Sequence, residues 1–179
     1  MSLIILDRDG VINHDSDDFI KSPAEWKPIE GSLEAIARLN HAGYRVVVIT
    51  NQSGIARGLL DVDTLTRIHS KMRRMLAQVG GKIESIIYCP HGPDDECDCR
   101  KPKDGAYTEL AKRLRLELTG VPAVGDSLRD LHAAESVGAT PILVRTGKGE
   151  RTLSKGIPDG VAVYDDLAAV VTSLLETSL

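Results

Sequence analysis

The sequence predicts an α/β fold, a Rossmann-like parallel sheet with helices on both faces. Short apolar runs at 3–6, 46–49, 83–88, 121–124, 141–144 and 161–163 leave no room for helical periodicity and read as buried strands. Between them, segments 32–42, 62–79, 104–116, 128–137 and 167–175 carry apolar residues at helical spacing. Strand and helix alternate, which requires right-handed βαβ crossovers. Several of the runs also end abruptly in hydroxyl, amide or carboxylate residues, and open α/β sheets build their sites along that carboxyl edge.

The first run ends in Asp7-Arg8-Asp9-Gly10, so two carboxylates emerge together from one strand. They repel unless a cation lies between them, and Mg²⁺ takes carboxylate oxygens while keeping positions open for phosphate. One aspartate is then free to act as nucleophile and the other as proton carrier. Whichever of the two carries the proton and begins protonated needs a pKa above that of an exposed Asp. Helix 32–42 stops at Gly43 in the C′ position, as helix 128–137 does at Gly138.

The second run passes into Thr50-Asn51-Gln52-Ser53-Gly54. The Thr50 hydroxyl and the backbone N–H groups from Asn51 onward suit phosphate oxygens, although an ordinary strand-to-loop transition reads the same way. Helix 62–79 follows, and the third run leads into a cysteine-rich loop at 89–99. Arg100-Lys101-Pro102 then precedes helix 104–116, with Pro102 suited to an early helical position. Lys101 offers a point charge to a phosphoryl group and Arg100 a planar fork. The fourth run ends in Gly125-Asp126-Ser127, placing Asp126 on the same edge as Asp7 as a further metal ligand, with Asp130 one turn later as an outer carboxylate. Capping of helix 128–137 by Asp126 or Ser127 is the alternative.

All three cysteines fall within Cys89-Pro90-His91 and Cys97-Asp98-Cys99. Cys89, His91, Cys97 and Cys99 make a closed Cys₃His set, expected to bind Zn²⁺ structurally and to hold the loop that presents Arg100 and Lys101. His14, His41, His69 and His132 lack such partners and read as solvated or core residues. The acidic stretch Asp15-Ser16-Asp17-Asp18 reads as a solvated turn unless a ligand claims it.

At 179 residues the chain is read as one domain, 1–179, and the connection after Asp9, about twenty residues, is too short for a covering domain. The formal charge of −4, with no basic stripe, excludes a nucleic-acid groove, and aromatics at 3% exclude base stacking. No long apolar stretch or leader pattern appears, so the expectation is a cytoplasmic protein with no membrane contact. It is read as a monomer.

Taken in order, D-x-D-G-V, T-N-Q-S-G, R-K-P and G-D-S-x-x-D resemble the four motifs of the haloacid dehalogenase superfamily of phosphatases. The resemblance implies Asp7 as nucleophile, Asp9 as acid/base with a pKa therefore expected to be raised, Thr50 and Lys101 as phosphoryl holders, and Mg²⁺ on Asp7, Asp126 and Asp9, the last through its backbone carbonyl. The cysteine loop followed by C-R-K-P is similar both to heptose-bisphosphate phosphatases and to histidinol-phosphate phosphatases. T-N-Q-S-G-I-A-R-G favours the heptose type, a resemblance that implies a small sugar bisphosphate substrate. Asp15, Asp18, Thr50, Asn51, Gln52, Ser53, Arg57, Arg100 and Lys101 are its implied contacts. Ser127 departs from the Lys that some such enzymes carry there. A non-catalytic, zinc-stabilised binding module is the reading from another class, against which the intact Asp7, Asp9, Lys101 and Asp126 weigh.

Overall fold

Six parallel strands form one sheet in the order β3-β2-β1-β4-β5-β6 in the computed structural model, which describes residues 2–178. The strands are β1 (Ser2–Leu6), β2 (Tyr44–Asn51), β3 (Ser85–Cys89), β4 (Pro122–Gly125), β5 (Thr140–Val144) and β6 (Ala162–Tyr164). The helices are α1 (Ser32–His41), α2 (Val62–Gln78), α3 (Gly105–Leu114), α4 (Leu128–Ser136), α5 (Gly149–Lys155) and α6 (Leu167–Thr177).

Both sheet faces are covered, which is why the strands read as continuous apolar runs. Successive residues alternate sides: Ile4, Leu6, Val46 and Val48 join Leu33, Ile36, Leu65, Met72 and Val170 of α1, α2 and α6. Leu3, Ile5, Val47 and Ile49 join Ala106, Leu110, Ala133 and Ala134 of α3 and α4. Gly43 and Gly138 follow the caps of α1 and α4 at φ of +89° and +75°, a region that glycine enters without a Cβ clash.

Two elements and the position of one proline differ from the sequence reading. α5 was not anticipated, because seven residues opened by glycine carry too little periodicity. A short 3-10 helix at Pro23–Glu25, capped by Ser22, was also missed. Pro102 lies in a turn before α3 rather than in its first turn, and the Lys101–Pro102 peptide is cis.

Strand order reverses beside β1, with β2 on one side and β4 on the other. Asp7 therefore leaves β1 next to the end of β4, its N–H donating to the Val124 carbonyl at 2.9 Å. Such a reversal opens a crevice at the carboxyl edge, and the site lies there.

Candidate active site

A cavity of about 260 Å³ opens over this edge. Asp7, Asp9, Thr50, Asn51, Gln52, Ser53, Arg57, Arg100, Lys101, Asp126 and Asp15 line it, so most of the expected residues do converge. Asp18 does not: it is exposed and outside the lining. Arg129 and Lys148 line the cavity and were overlooked. Arg129 lies in the first turn of α4, three residues after Asp126, and Lys148 ends the loop after β5, so position along the sheet edge was the available signal.

Lys101 is only 2% exposed, and its Nζ has three partners: Asp130 Oδ1 at 2.7 Å, the Ile49 carbonyl at 2.7 Å and Asp7 Oδ1 at 3.1 Å. Its backbone is clamped reciprocally by Asn51, with Lys101 N donating to Oδ1 at 3.0 Å and Asn51 Nδ2 donating to the Lys101 carbonyl at 3.1 Å. The Asn51 amide thus holds the loop rather than standing free for a ligand. Burial opposes the ammonium charge, but Asp130 and Asp7 outweigh it and raise the Lys101 pKa, so the cation persists at any working pH.

Carboxyl oxygens of Asp7, Asp126 and Asp130 lie within 4.8 Å of one another. Burial, then the neighbouring Asp130 charge, lifts Asp7 to about 7 even with Lys101 pulling it down. Burial and Asp7 also push Asp126 upward. Asp130 differs. Lys101 and hydrogen bonds from Ser127 overcome its burial and hold it low. Its Oδ2 accepts from the N–H groups of Asp126 and Ser127, both at 3.1 Å, and from Ser127 Oγ at 3.0 Å, so it orients the start of α4 and the Asp126 strand end. Ser127 is the N-cap of α4. Asp126 is steadied by the Lys148 N–H at 2.9 Å. The cluster holds more negative charge than Lys101 neutralises, and a divalent cation on Asp7 and Asp126 fits that excess.

Asp9 has the opposite environment. Burial raises it, but the Arg8 charge and hydrogen bonds from Asn13, Arg8 and Gln52 prevail and hold it below the ordinary carboxylate range. This corrects the expectation of a raised pKa: the neighbouring Arg8, fully buried, supplies the counter-charge. His69 lies behind it and is pushed down to about 3 by burial and by Arg8.

Fit of the glycines is equally tight. A Cβ on Gly10 or on Gly147, both at positive φ, would strike the Asp126 carboxylate.

Arg57, Arg100 and Arg129 gather on the same cavity lining. Their proximity is visible in Arg100, whose pKa falls through burial and through the charges of Arg129 and Arg57. Among the described residues none of the three forms an ion pair; Arg57 lies 5.3 Å from the Phe19 ring centre and Arg100 Nη1 donates to the His91 carbonyl at 3.4 Å. Lys148 Nζ instead sits 3.6 Å from Asp15.

Beside Arg100 the four expected thiol and imidazole donors converge within 4.8 Å. Cys89 Sγ is 3.5 Å from His91 Nδ1 and 3.9 Å from Cys97 Sγ, and Cys99 Sγ is 3.4 Å from His91 Nδ1 and 2.7 Å from Cys89 Sγ. Burial lifts Cys99 to about 12, whereas hydrogen bonds from Arg100 N–H and the other thiols overcome burial at Cys97 and bring it to about 7.

This fold, with a paired-aspartate strand end, a buried lysine and a carboxylate cluster around one crevice, defines a haloacid-dehalogenase-type phosphatase. Family models agree: residues 98–170 match the HAD-hydrolase-like family and residues 2–128 match polynucleotide kinase 3 phosphatase. The chain is 59% identical over 177 residues to the D-glycero-beta-D-manno-heptose-1,7-bisphosphate 7-phosphatase of Bordetella bronchiseptica, covering 98% of this chain and 99% of that one. It is 55% identical over 175 residues to the enzyme of the same name from Pseudomonas aeruginosa, covering 98% of each. The crystal structure of the B. bronchiseptica enzyme, described as a complex with magnesium and phosphate, superposes with a TM-score of 0.97 over 99% of both chains. The chain belongs to the D-glycero-beta-D-manno-heptose-1,7-bisphosphate 7-phosphatase family within the haloacid dehalogenase superfamily. It is accordingly a phosphoric monoester hydrolase, which sets aside the non-catalytic binding module. No helix among the described residues is long and apolar enough to cross a membrane.

Proposed function

We propose that this enzyme removes the C7 phosphate of D-glycero-D-manno-heptose 1,7-bisphosphate, leaves the C1 phosphate in place, and so yields heptose 1-phosphate for nucleotide-heptose and lipopolysaccharide core synthesis. It does so as a cytoplasmic monomer. The observation that carries the substrate is the make-up of one cavity lining: Asp7 paired with Lys101, together with three arginines, Arg57, Arg100 and Arg129, that form no ion pair among the described residues. A bisphosphate has one anion for the Asp7 centre and a second for these cations, and guanidinium forks suit the phosphate that is kept.

Asp7 attacks phosphorus, a bond forms from its carboxylate oxygen, and the bond from phosphorus to the C7 oxygen breaks. The departing oxygen takes a proton from Asp9, whose proton affinity rises as the phosphate dianion comes to lie beside it. Water then attacks the aspartyl phosphate and gives its proton to Asp9, and the acyl–phosphate bond breaks to release inorganic phosphate and free Asp7. Lys101 stays ionised throughout and meets charge on the transferring oxygens, with the Thr50 hydroxyl on the same cavity lining. Asp7 and Asp126 hold Mg²⁺, with Asp9 contributing its backbone carbonyl. Bound there, Mg²⁺ supplies positive charge to phosphoryl oxygens and relieves carboxylate repulsion. Cys89, His91, Cys97 and Cys99 would hold Zn²⁺ as a structural closure of the loop, in keeping with their number, type and convergence.

A phosphate-release panel tests this, with heptose 1,7-bisphosphate, histidinol phosphate and p-nitrophenyl phosphate as substrates. The expected result is highest kcat/KM on the bisphosphate, with heptose 1-phosphate as product. Preference for histidinol phosphate, or release of the C1 phosphate, would overturn it.

A further inference from the structure

His69 lies on the buried stripe of α2, close to Leu65, Ile68, Met72 and Leu76 in sequence and 9% exposed. A leucine would satisfy that packing. What the imidazole adds is a contact: its Nε2 lies 3.1 Å from Arg8 Nη1. A guanidinium has donors only, so Nε2 must accept, and the ring proton must sit on Nδ1.

The same guanidinium grips Asp9. Arg8 Nε and Nη2 donate to Asp9 Oδ1 at 2.9 and 2.8 Å, and Asn13 Nδ2 donates to it at 2.9 Å. Asp9 Oδ2 receives one bond, from Gln52 Nε2 at 3.1 Å. Oδ1 is therefore saturated, and Oδ2 is the oxygen with lone-pair capacity left.

Resting on the reading of Asp9 as proton carrier, we propose that His69 is a positioning residue: its Nδ1–H tautomer fixes the Arg8 guanidinium, which locks Asp9 Oδ1 and reserves Oδ2 for proton transfer. The imidazole does not titrate into this role, since burial and Arg8 keep it neutral down to about pH 3. Arg8 alone has freedom to rotate about its long side chain; with Nη1 held from α2 and Nε and Nη2 held by Asp9, the fork has one orientation.

Leaving-group chemistry separates this from a packing role. A sugar alkoxide needs a proton to depart, whereas p-nitrophenolate does not, and kcat/KM reports the steps through leaving-group departure. His69→Leu should lower kcat/KM for the heptose bisphosphate, or for whichever alkyl phosphate the enzyme turns over, by about tenfold, and for p-nitrophenyl phosphate by less than about twofold. His69→Gln, whose amide oxygen can accept from Arg8, should recover most of the loss. Equal losses on both substrates, no loss, or a Gln variant as impaired as the Leu variant would each overturn the proposal. Asp9→Asn run on the same pair isolates the underlying reading: if it shows no alkyl-over-aryl split, Asp9 is not the proton carrier, and if it splits while His69→Leu does not, only the role of His69 fails. Should the Leu variant not fold, ¹⁵N spectra of the wild-type imidazole decide, because Nδ1 protonated and Nε2 bare is required, and the other tautomer or an imidazolium refutes it.

Discussion

Around Asp9 the protein supplies the compensating charge itself, whereas around Asp7 and Asp126 it leaves negative charge in excess. Arg8, Asn13 and Gln52 surround the first carboxylate and hold it below its ordinary range. Two residues earlier on the same strand end, Asp7 shares one ammonium with Asp130 and rises to about 7. The lesson concerns division of labour. On the proposed mechanism, the group that must return to the same place after each proton transfer is enclosed by permanent partners, and the groups that must meet a cation and a phosphate are left needing them.

The largest expected effect breaks the incomplete half. Asp7→Asn keeps size but removes the nucleophile's charge, and should lower turnover by about 10³-fold or more. Acid-quenched wild-type protein should retain labelled phosphate that hydroxylamine releases, and the variant should retain none. Mild chelation should silence the wild type reversibly, with activity returning on addition of Mg²⁺.

Stability offers the sharpest test of the contrast. Asp9→Asn strands a fully buried guanidinium and should destabilise by about 3–5 kcal/mol in urea melts, as for other broken buried pairs. Asp7→Asn in chelated protein at pH 8 should leave the midpoint unchanged or raise it, since it removes one of several crowded charges. If both variants fall alike, the two halves are not electrostatically different.

Third in size are the arginines of the cavity lining. Arg100→Ala or Arg129→Ala should lower kcat/KM on the bisphosphate about tenfold, the worth of one charge-assisted hydrogen bond, and affect a small aryl phosphate much less. Equal losses on both would assign these residues to the reacting phosphate.

Smaller still is a pH effect on folding. His69 is held at about 3, below the 6.5 of a free imidazole, so between those values the unfolded chain binds the extra proton. Its contribution is intact above about pH 6.5 and is lost as pH falls toward 3. Burial, Arg8 and Arg73 depress it while Asp9 opposes them, and His69→Gln should therefore lose less melting temperature than wild type between pH 6.5 and 4.5. An identical decline would mean the ring is not neutral in the fold.

Much of the sheet was legible because buried parallel strands must be apolar on both faces, and Ile4, Val46 and Val124 sit in short runs that admit no helix. Site residues at strand ends were legible for the same reason: once a run is a strand, Asp7, Thr50 and Asp126 share an edge. Charge state was not legible. Arg8 stands between two aspartates in the sequence, but whether its guanidinium turns inward depends on α2 and on His69, sixty-one residues away. Asp18 failed differently, since Asp15 and Asp18 belong to one acidic turn and only the path of the loop decides which faces the cavity. Arg129 and Lys148 look like solvated charges until the crevice is assembled.

Lys101 and Arg100 are neighbours in sequence but not in mooring. Lys101 is tied to the sheet through Asn51 and the Ile49 carbonyl, whereas the Arg100 guanidinium's hydrogen bond goes to His91, inside the thiol loop. Damage to that loop should therefore spread unevenly. Cys97→Ser, expected to release Zn²⁺ and lower the melting temperature by roughly 5 °C or more, should weaken turnover of the bisphosphate more than that of an aryl phosphate, measured side by side. An aged or oxidised enzyme would then grow promiscuous before it grew inactive, forgetting which phosphate ester it prefers while still able to cut one.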